Sequence, residues 1–450
     1  MHTHNGVERR KVLLGMASSV ALALAGCGAS GSGSSGSASE SALPTRLTDP
    51  TTPVTINYAG AAYSSADIQP VIAAFEKQHP NIKVNYEADP FENFNSIISA
   101  QLTGKDKAID VFDVDMPRTD AYANRGWLTN LSAVFPQGKS EIDPSSLAAA
   151  TVNGQLVALP YQTSTNFMYY NKTLLKAAGI PFPSASPASR MTWEQVTTEA
   201  GKAKKARAKW GIVFDQIDRY YQLEPLSTSA GGGPGASGQG NLTPDITNAG
   251  WTKAMDWYSS LFKDGLSPRG VAAAQTPDLF ASGQVAFYVG GPWWGPQFEA
   301  SKSLDFGVAP FPEFADGTAA TPTGGWSLGL SPLSTNKDAA LIFMKFMALE
   351  NGGYSQYMTA LAVPPSNLQG SAQFYNSAVF KDPRMAGAVS LMKYELAHTA
   401  VLRLKTVGYI EFENIITNAY DDIIDGANVA STLQSASASL KSAWAIYQSS

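Results

Sequence analysis

Two adjacent tryptophans, Trp293 and Trp294, stand in a stretch that reads FASGQVAFYVGGPWWGP from Phe280 to Pro296. A short apolar strand is predicted over Val285–Val289, and the glycines and prolines after it favour a fixed loop. A tryptophan presents a large flat apolar face and a polar N–H edge, which suits sugars because their C–H faces stack on rings. A second interpretation stays open, in which the two rings pack in the core beside the strand.

Charged and polar side chains form a second group of candidates. Asp115 and Arg118 follow one predicted strand, and Tyr63 follows another. A carboxylate accepts two hydroxyls and a guanidinium donates in a fork, so both give strong charge-assisted hydrogen bonds. For Arg118 the alternative is a solvated charge at the start of a helix. A further polar segment, Tyr161–Asn166 (YQTSTN), is predicted as a loop and adds hydroxyl and amide groups.

The elements that position these residues alternate between strand and helix. Strands are predicted over Val54–Tyr58, Asn81–Tyr86 and Asp110–Val114, with helices over Ala66–Gln78 and Phe91–Leu102. This order is typical of a parallel sheet covered by helices. Ligands of such sheets bind beyond the carboxyl ends of the strands, which selects the three segments Ala59–Tyr63, Glu87–Phe91 and Asp115–Arg118. The C-terminal part, from Arg384 onwards, is predicted to be largely helical.

The composition excludes several classes of function. The chain is 44% hydrophobic and 15% charged, with a formal net charge of −5, and its 450 residues suffice for two lobes with full cores. An acidic chain without a basic stripe argues against nucleic acid as a partner. The chain has four histidines and one cysteine, so it offers few ligands for a zinc cluster and few candidates for a histidine-based catalytic triad. We therefore expect no metal, no cofactor and no catalytic residue.

The N-terminal sequence predicts export and lipid anchoring. Arg9-Arg10-Lys11 precedes an apolar run, and Leu24-Ala25-Gly26-Cys27 has the form of a bacterial lipobox. A basic stretch, a short apolar run and small residues are typical of a signal peptide rather than a membrane span. The prediction is a signal peptide over residues 1–26, an acylated Cys27 that carries palmitate, and a flexible Gly/Ser/Pro linker to residue 53. The arginine pair also fits a twin-arginine pattern loosely, so the export route stays open.

Several sequence blocks in a fixed order carry a resemblance that covers residue 54 to the C-terminus. The blocks are Phe75–Val84; Asp110–Val114 with Gly126-Trp127-Leu128; Leu159-Pro160 with Tyr170-Asn171-Lys172, Ala178-Gly179-Ile180 and Thr192-Trp193-Glu194; Phe280–Ala286 with Gly291-Pro292-Trp293; and Gly324-Gly325-Trp326 with Ala339–Met347. Together they resemble the carbohydrate-binding extracellular solute-binding lipoproteins of bacterial ABC importers, the family of maltose-binding protein.

The resemblance implies an α/β fold of the two-lobed periplasmic-binding-protein type (type II), with crossing strands and a ligand cleft between the lobes. Lobe 1 would comprise residues 54–162 and 313–363, and lobe 2 residues 163–312 and 364–450. Such proteins close around a ligand by hinge bending, and the closed form docks on the importer's permease subunits.

The resemblance also implies roles for particular residues. Trp293 lies where the family stacks a tryptophan on a sugar ring, and Trp326, after Gly325, matches a position that meets sugar. At the first crossing, Tyr161, Ser164 and Asn166 would bind hydroxyls, and in lobe 2 Tyr220-Tyr221, with Asp218 and Arg219 beside them, could line the cleft. Thr163-Ser164 replace a carboxylate of the maltose-type relative, so specificity for maltose is not implied.

The predicted function is capture of a neutral mono- or oligosaccharide and its delivery to an importer. We expect a monomer, held at the outer face of the cell membrane through Cys27. One alternative is a secreted glycosidase, which needs a pair of carboxylates. Candidates for such a pair are Asp113, Asp115 and Glu87, but no sequence motif identifies a catalytic pair among them. Another is the same fold with a different solute, such as a glycerophosphodiester. A charged ligand would call for clustered opposite charges, of which the candidate loops show few.

Overall fold

A computed structural model of the chain describes residues 43–44, 46–62, 65–377 and 380–448. Its strands are β1 (Val54–Ala62), β2 (Ile82–Pro90), β3 (Val111–Asp115), β4 (Thr151–Val152), β5 (Gln155–Leu156), β6 (Leu159–Ser164), β7 (Phe167–Asn171), β8 (Trp210–Phe214), β9 (Ala236–Ser237), β10 (Thr243–Pro244), β11 (Val285–Gly290), β12 (Phe306–Ala309), β13 (Thr321–Leu330) and β14 (Ala400–Leu402).

The helices precede, follow and cover these strands. They are α1 (Ser65–Gln78), α2 (Phe91–Thr103), α3 (Thr119–Asn124), α4 (Gly138–Glu141), α5 (Pro144–Ala149), α6 (Lys172–Ala177), α7 (Trp193–Ala206), α8 (Tyr220–Ser229), α9 (Ala249–Lys263), α10 (Thr276–Ala281), α11 (Gly295–Ala300), α12 (Lys337–Leu349), α13 (Asn351–Leu361), α14 (Leu368–Phe374), α15 (Ala388–His398), α16 (Tyr409–Ile424) and α17 (Val429–Gln448). Within the described ranges, no helix combines the length and the apolar character that crossing a membrane requires.

The first lobe is built on a mixed sheet in the order β14-β13-β3-β1-β2, with β6 also paired to β13. β1 runs parallel to β2 and β3, whereas β13 is antiparallel to β3 and β6. Helix α1 buries Ile68, Val71, Ile72 and Phe75, the one-face spacing predicted for it, and Phe75 meets Phe343 of α12 edge to face. The predicted strand–helix order of this region is confirmed.

The second lobe is built on the sheet β12-β7-β11-β8. β7 is antiparallel to β11 and β12, and β11 runs parallel to β8. Its core contains three fully buried tryptophans, Trp193, Trp251 and Trp444. Trp193 opens α7 and stacks on Phe214 with ring centroids 5.5 Å apart, which agrees with the structural role expected for it. The two α/β lobes confirm the predicted fold class.

The chain passes between the two sheets several times. It leaves the first sheet after β6, enters the second at β7, and returns from β12 to β13. β14 then pairs in parallel with β13, in a C-terminal part that the sequence predicts as largely helical and assigns to lobe 2, so the sequence interpretation missed this strand. The lobe limits drawn from the resemblance stay a prediction.

The polar segment predicted as a loop is in fact the end of a strand, since β6 continues through Ser164. Gly325 of β13 lies opposite Thr163, and a Cβ at Gly325 would lie 2.0 Å from the carbonyl oxygen of Gln162. A glycine is therefore required for β13 to approach β6 this closely. Pairing with β13 satisfies the backbone hydrogen-bonding groups of this β6 segment, although its polar side chains suggest a loop.

Candidate functional site

A cavity of about 40 Å³ lies between the two lobes. Its lining residues are Phe91, Asp115, Gln162, Ser164, Gln216, Arg219, Tyr221, Trp293, Gly325, Trp326, Leu361, Val363 and Arg403. Asp115 ends β3, and Gln216 and Arg219 follow β8, so the cavity lies beyond the carboxyl ends of parallel strands. Of the residues that the sequence nominates, those that line the cavity are Phe91, Asp115, Ser164, Arg219, Tyr221, Trp293, Gly325 and Trp326.

Trp326 forms the aromatic wall of the first lobe. Its side chain is 6% exposed, and its ring lies edge-on to Phe91 and Phe94, with centroids 6.0 and 5.8 Å away. Phe91, the first residue of α2, also lines the cavity. The two phenylalanines hold the indole in one orientation, so this wall is preformed.

Trp293 forms the opposing aromatic surface, from the second lobe. It lies in a one-turn helix, Pro292–Trp294, and its Nε1 donates to Oδ2 of Asp215 at 3.1 Å. The indole folds back over Gly291, where a Cβ would lie 2.0 Å from the ring. Gly291 therefore has to be a glycine if the ring is to take this position.

Trp294 faces a different way from its neighbour. It packs against the second-lobe core cluster that contains Phe280, Phe298 and Met385, and it does not line the cavity. Adjacent residues in a 3₁₀ turn point about 120° apart, so one can reach the cavity while the other packs inside. The cavity position proposed for the pair thus applies to Trp293, and the core position applies to Trp294.

A relay of hydrogen bonds fixes the hydroxyl groups at the edge of the cavity. Asn166 Nδ2 donates to the Tyr221 hydroxyl at 2.8 Å, and Ser164 Oγ, 2.9 Å from that hydroxyl, donates to the Gly324 carbonyl at 3.0 Å. Burial raises the pKa of Tyr221 to about 12, so its hydroxyl keeps its proton. Asn166 is fully buried, also accepts from Gln222, and supports Tyr221 from behind the lining.

Two glutamines place amide groups in the lining, one from each lobe. Gln162 lies in β6 of the first sheet and is 4% exposed; Gln216 follows β8 of the second sheet and is 8% exposed. In both, the side-chain oxygen is buried and has no hydrogen-bond partner. Since buried polar groups are almost always paired, these two acceptors are available to donors of a ligand.

A buried cluster of charges borders the cavity. Arg403 donates through both terminal nitrogens to the two carboxylate oxygens of Asp115, one of these bonds measuring 2.8 Å. Arg118 forms an ion pair with Glu413, and Arg219 Nη2 lies 3.5 Å from Asp115 and 3.7 Å from Glu413. Burial opposes ionisation of Glu413, but the facing guanidinium groups hold its pKa well below the usual range.

Two further nominated residues, Arg118 and Tyr161, lie outside the lining. Arg118 is 4% exposed and is engaged by Glu413, so it contributes to the charge cluster rather than to the lining or to a solvated helix start. Tyr161 points into the first-lobe core, where its hydroxyl donates to Asp113 at 3.1 Å. Tyr63 and the lipidation candidate Cys27 lie outside the described residues.

The sequence interpretation missed Gln162, Gln216 and Arg403 as lining residues. A signal for Gln162 exists, because it shares a strand face with Ser164 once 159–164 is treated as a strand. Gln216 follows β8 at its carboxyl end, where the strand-end rule selects ligand positions. Arg403 carries no local signal, since it reaches Asp115 from 288 residues away.

The chain matches the bacterial extracellular solute-binding protein family over residues 60–353. It is similar to the maltodextrin-binding protein MdxE of Bacillus subtilis (strain 168), with 24% identity over 302 residues that cover 66% of this chain and 70% of the relative. The galactooligosaccharide-binding protein of the same organism is 26% identical over 311 residues, which cover 67% of this chain and 70% of that protein.

A solved structure shares the fold of this chain. The ABC substrate-binding protein Lmo0181 from Listeria monocytogenes, in complex with cycloalternan, superposes with a TM-score of 0.75 at 19% identity. The superposition covers 87% of this chain and 98% of that one, so the two share a fold. Because the family match extends over more than half of the sequence, the chain belongs to the bacterial extracellular solute-binding protein family.

Proposed function

We propose that the protein binds a carbohydrate in the cavity between its lobes and delivers it to an ABC importer by hinge closure. The observation that carries the proposal is the pairing of aromatic surfaces with unpartnered buried amide oxygens in one cavity. The cavity volume, about 40 Å³, is smaller than the roughly 300–1,000 Å³ typical of small-molecule sites, so the lobes would have to move apart to admit a sugar.

The aromatic surfaces suit the apolar faces of a sugar ring. Trp293 comes from the second lobe, and Trp326 with Phe91 from the first, so a ring between them would contact both lobes. Indole rings provide large rigid surfaces with little side-chain entropy to lose on binding.

The amide oxygens suit sugar hydroxyls. Leaving a buried acceptor unpaired costs about 1–3 kcal/mol, and a hydroxyl donor removes this cost. Gln162 and Gln216 lie on different lobes, so a ligand that bonds to both links the lobes together. A ligand that contacts both lobes binds the closed form more tightly and so shifts the population towards it.

Contacts between the lobes are compatible with closure over the cavity. Arg219 of the second lobe lies over the Phe91 ring of the first, 4.7 Å from its centroid. Glu92, in the first turn of α2, accepts from the backbone N–H of Ala274 at 3.1 Å. We propose that the importer's permease subunits recognise this closed arrangement.

Binding without catalysis fits the carboxylate count of the cavity. Asp115 is the one carboxylate among the described lining residues, and Arg403 occupies both of its oxygens. A glycosidase requires two carboxyl groups that flank the scissile bond. We therefore propose a binding protein rather than the secreted glycosidase. The proposal includes a monomeric lipoprotein, anchored through Cys27 at the outer face of the membrane.

The test is a thermal-shift screen of the purified protein against mono- and disaccharides, followed by calorimetry of each ligand found. Binding to the folded state raises the melting temperature, by an amount that grows with the logarithm of the ratio of ligand concentration to Kd. We expect at least one carbohydrate to shift the melting temperature and to bind with one-to-one stoichiometry. A shift with non-sugar metabolites alone would overturn the carbohydrate assignment.

A further inference from the structure

The charge of the ligand can be inferred from the arginines of the cavity. The sequence predicts a neutral ligand because its candidate loops show few clustered charges. The structure brings together Arg219 and Arg403, which are far apart in the chain, in the same lining. Against these two guanidinium groups, Asp115 is the one carboxylate among the described lining residues.

Arg403 has an unused donor. Both of its terminal nitrogens are bonded to Asp115, and its guanidinium lies 5.1 Å from the centroid of the Tyr221 ring. Its Nε, however, is buried and has no hydrogen-bond partner. A buried cationic N–H without an acceptor is costly, so an acceptor oxygen of a ligand would stabilise it.

Arg219 carries a charge that its neighbours only partly balance. Its Nη2 lies 3.5 Å from Asp115 and 3.7 Å from Glu413, beyond the usual length of a charge-assisted bond. Both carboxylates are already bonded to other arginines, Asp115 to Arg403 and Glu413 to Arg118. The cluster therefore holds three guanidinium groups against two carboxylates, and the loosely paired member lines the cavity.

Two further carboxyl groups lie close to Arg219 in the chain. Asp215 accepts from Trp293, and burial raises its pKa to about 7, so it is only partly ionised at neutral pH. Burial also raises the pKa of Asp218. Neither side chain lines the cavity, so neither would contact a ligand bound there.

We propose that the sugar bound in this cavity carries an anionic oxygen group, held by Arg219 and Arg403. The inference rests on the proposed carbohydrate function and narrows its substrate class to acidic sugars. A guanidinium matches the geometry of a carboxylate or a phosphate, and charge-assisted bonds of this kind are about twice as strong as neutral ones. A sugar carboxylate and a sugar phosphate share this chemistry.

The experiment compares matched pairs of ligands by calorimetry on the unaltered protein. Glucose is compared with glucuronate and with glucose 6-phosphate, and galactose with galacturonate. We expect an acidic member of a pair to bind about ten- to a hundredfold more tightly than its neutral partner, as one or two charge-assisted bonds would give. The uronate and phosphate arms identify which anion is preferred.

The outcomes separate this inference from the proposed function. A neutral sugar that binds as tightly as its acidic partners would overturn the inference and leave carbohydrate binding intact. Binding of glycerol 3-phosphate or inorganic phosphate without binding of any sugar would overturn the carbohydrate function, and with it the inference.

A variant tests the role of the loosely paired arginine. Arg219→Gln should reduce the affinity for the acidic sugar about tenfold more than the affinity for its neutral partner, and Arg219→Lys should show a smaller difference. Arg207→Gln, at an exposed arginine remote from the lining, is the matched control and should change neither. Equal losses for acidic and neutral sugars in Arg219→Gln, with an unchanged melting temperature, would overturn the inference.

Discussion

The two adjacent tryptophans offer a test in which neighbouring residues should respond in opposite ways. Trp293 lines the cavity, whereas Trp294 packs against the second-lobe core. Trp293→Ala should therefore weaken sugar binding, and Trp294→Ala should mainly lower the free energy of unfolding. The pair has the same residue type and the same turn, so each variant is the control for the other.

The magnitude follows from the area that a sugar would cover. A tryptophan buries about 150–250 Å², so one face of the ring accounts for about 80 Å². At about 25 cal/mol per Å² this is about 2 kcal/mol, or a loss of affinity of about thirtyfold in Trp293→Ala. Trp294→Ala should keep its affinity within about threefold, while core packing is lost at up to about 3–5 kcal/mol.

Trp293→Phe separates stacking from the hydrogen bond to Asp215. The phenyl ring keeps part of the stacking surface but removes the Nε1–H that donates at 3.1 Å. An intermediate loss of affinity is expected. The assay is calorimetry with the sugar that gives the largest thermal shift, together with urea unfolding of each variant. Unchanged affinity in Trp293→Ala, or equal losses of affinity in the two alanine variants, would refute the assignment.

Three further predictions concern the amides, a buried carboxyl and the lipid anchor. Gln162→Leu and Gln216→Leu should each weaken sugar binding about tenfold through a lost hydrogen bond of about 1–1.5 kcal/mol. Gln155→Leu, at an exposed glutamine, is the control and should leave the sugar affinity unchanged. Equal calorimetric affinities in the three variants would contradict the role of the two lining amides. Burial raises the pKa of Asp215 to about 7, so its contribution to stability is complete below about pH 4 and is lost as the pH rises towards 7. In Asp215→Asn the free energy of unfolding should fall less over this range than in the wild type; identical pH profiles from urea unfolding would argue against it. Cys27→Ala should abolish incorporation of labelled palmitate and release the protein from the membrane, and label that persists in this variant would exclude Cys27 as the anchor.

The alternation of β6 explains why some site residues could be predicted and others not. Chemistry alone selects Tyr161 and Ser164 from the polar segment. In a strand they lie on opposite faces, so Tyr161 turns to Asp113 in the core while Gln162 and Ser164 share the cavity face. The polar composition of this segment predicts a loop rather than the strand β6. The strand depends on pairing with β13, which requires Gly325, far away in the chain.

The charge cluster shows what a single sequence cannot supply. Asp115 could be selected because it ends a predicted strand. Its partner Arg403 could not, since the contact joins the first lobe to a segment just after β14, a strand with no predicted counterpart. The same long-range pairing accounts for Arg118, whose side chain is held by Glu413 rather than by solvent. Local patterns thus predicted elements and strand ends, and tertiary contacts decided which side chains face the cavity.

The most direct test of carbohydrate binding in the cavity is a crystal structure of the protein with the sugar that raises its melting temperature most. We predict a sugar ring on the face of Trp293, with hydroxyls within hydrogen-bonding distance of Gln162 and Gln216. A sugar bound instead in the second cavity, of about 180 Å³, beside Leu402 and Lys405, or outside the cleft altogether, would contradict this prediction.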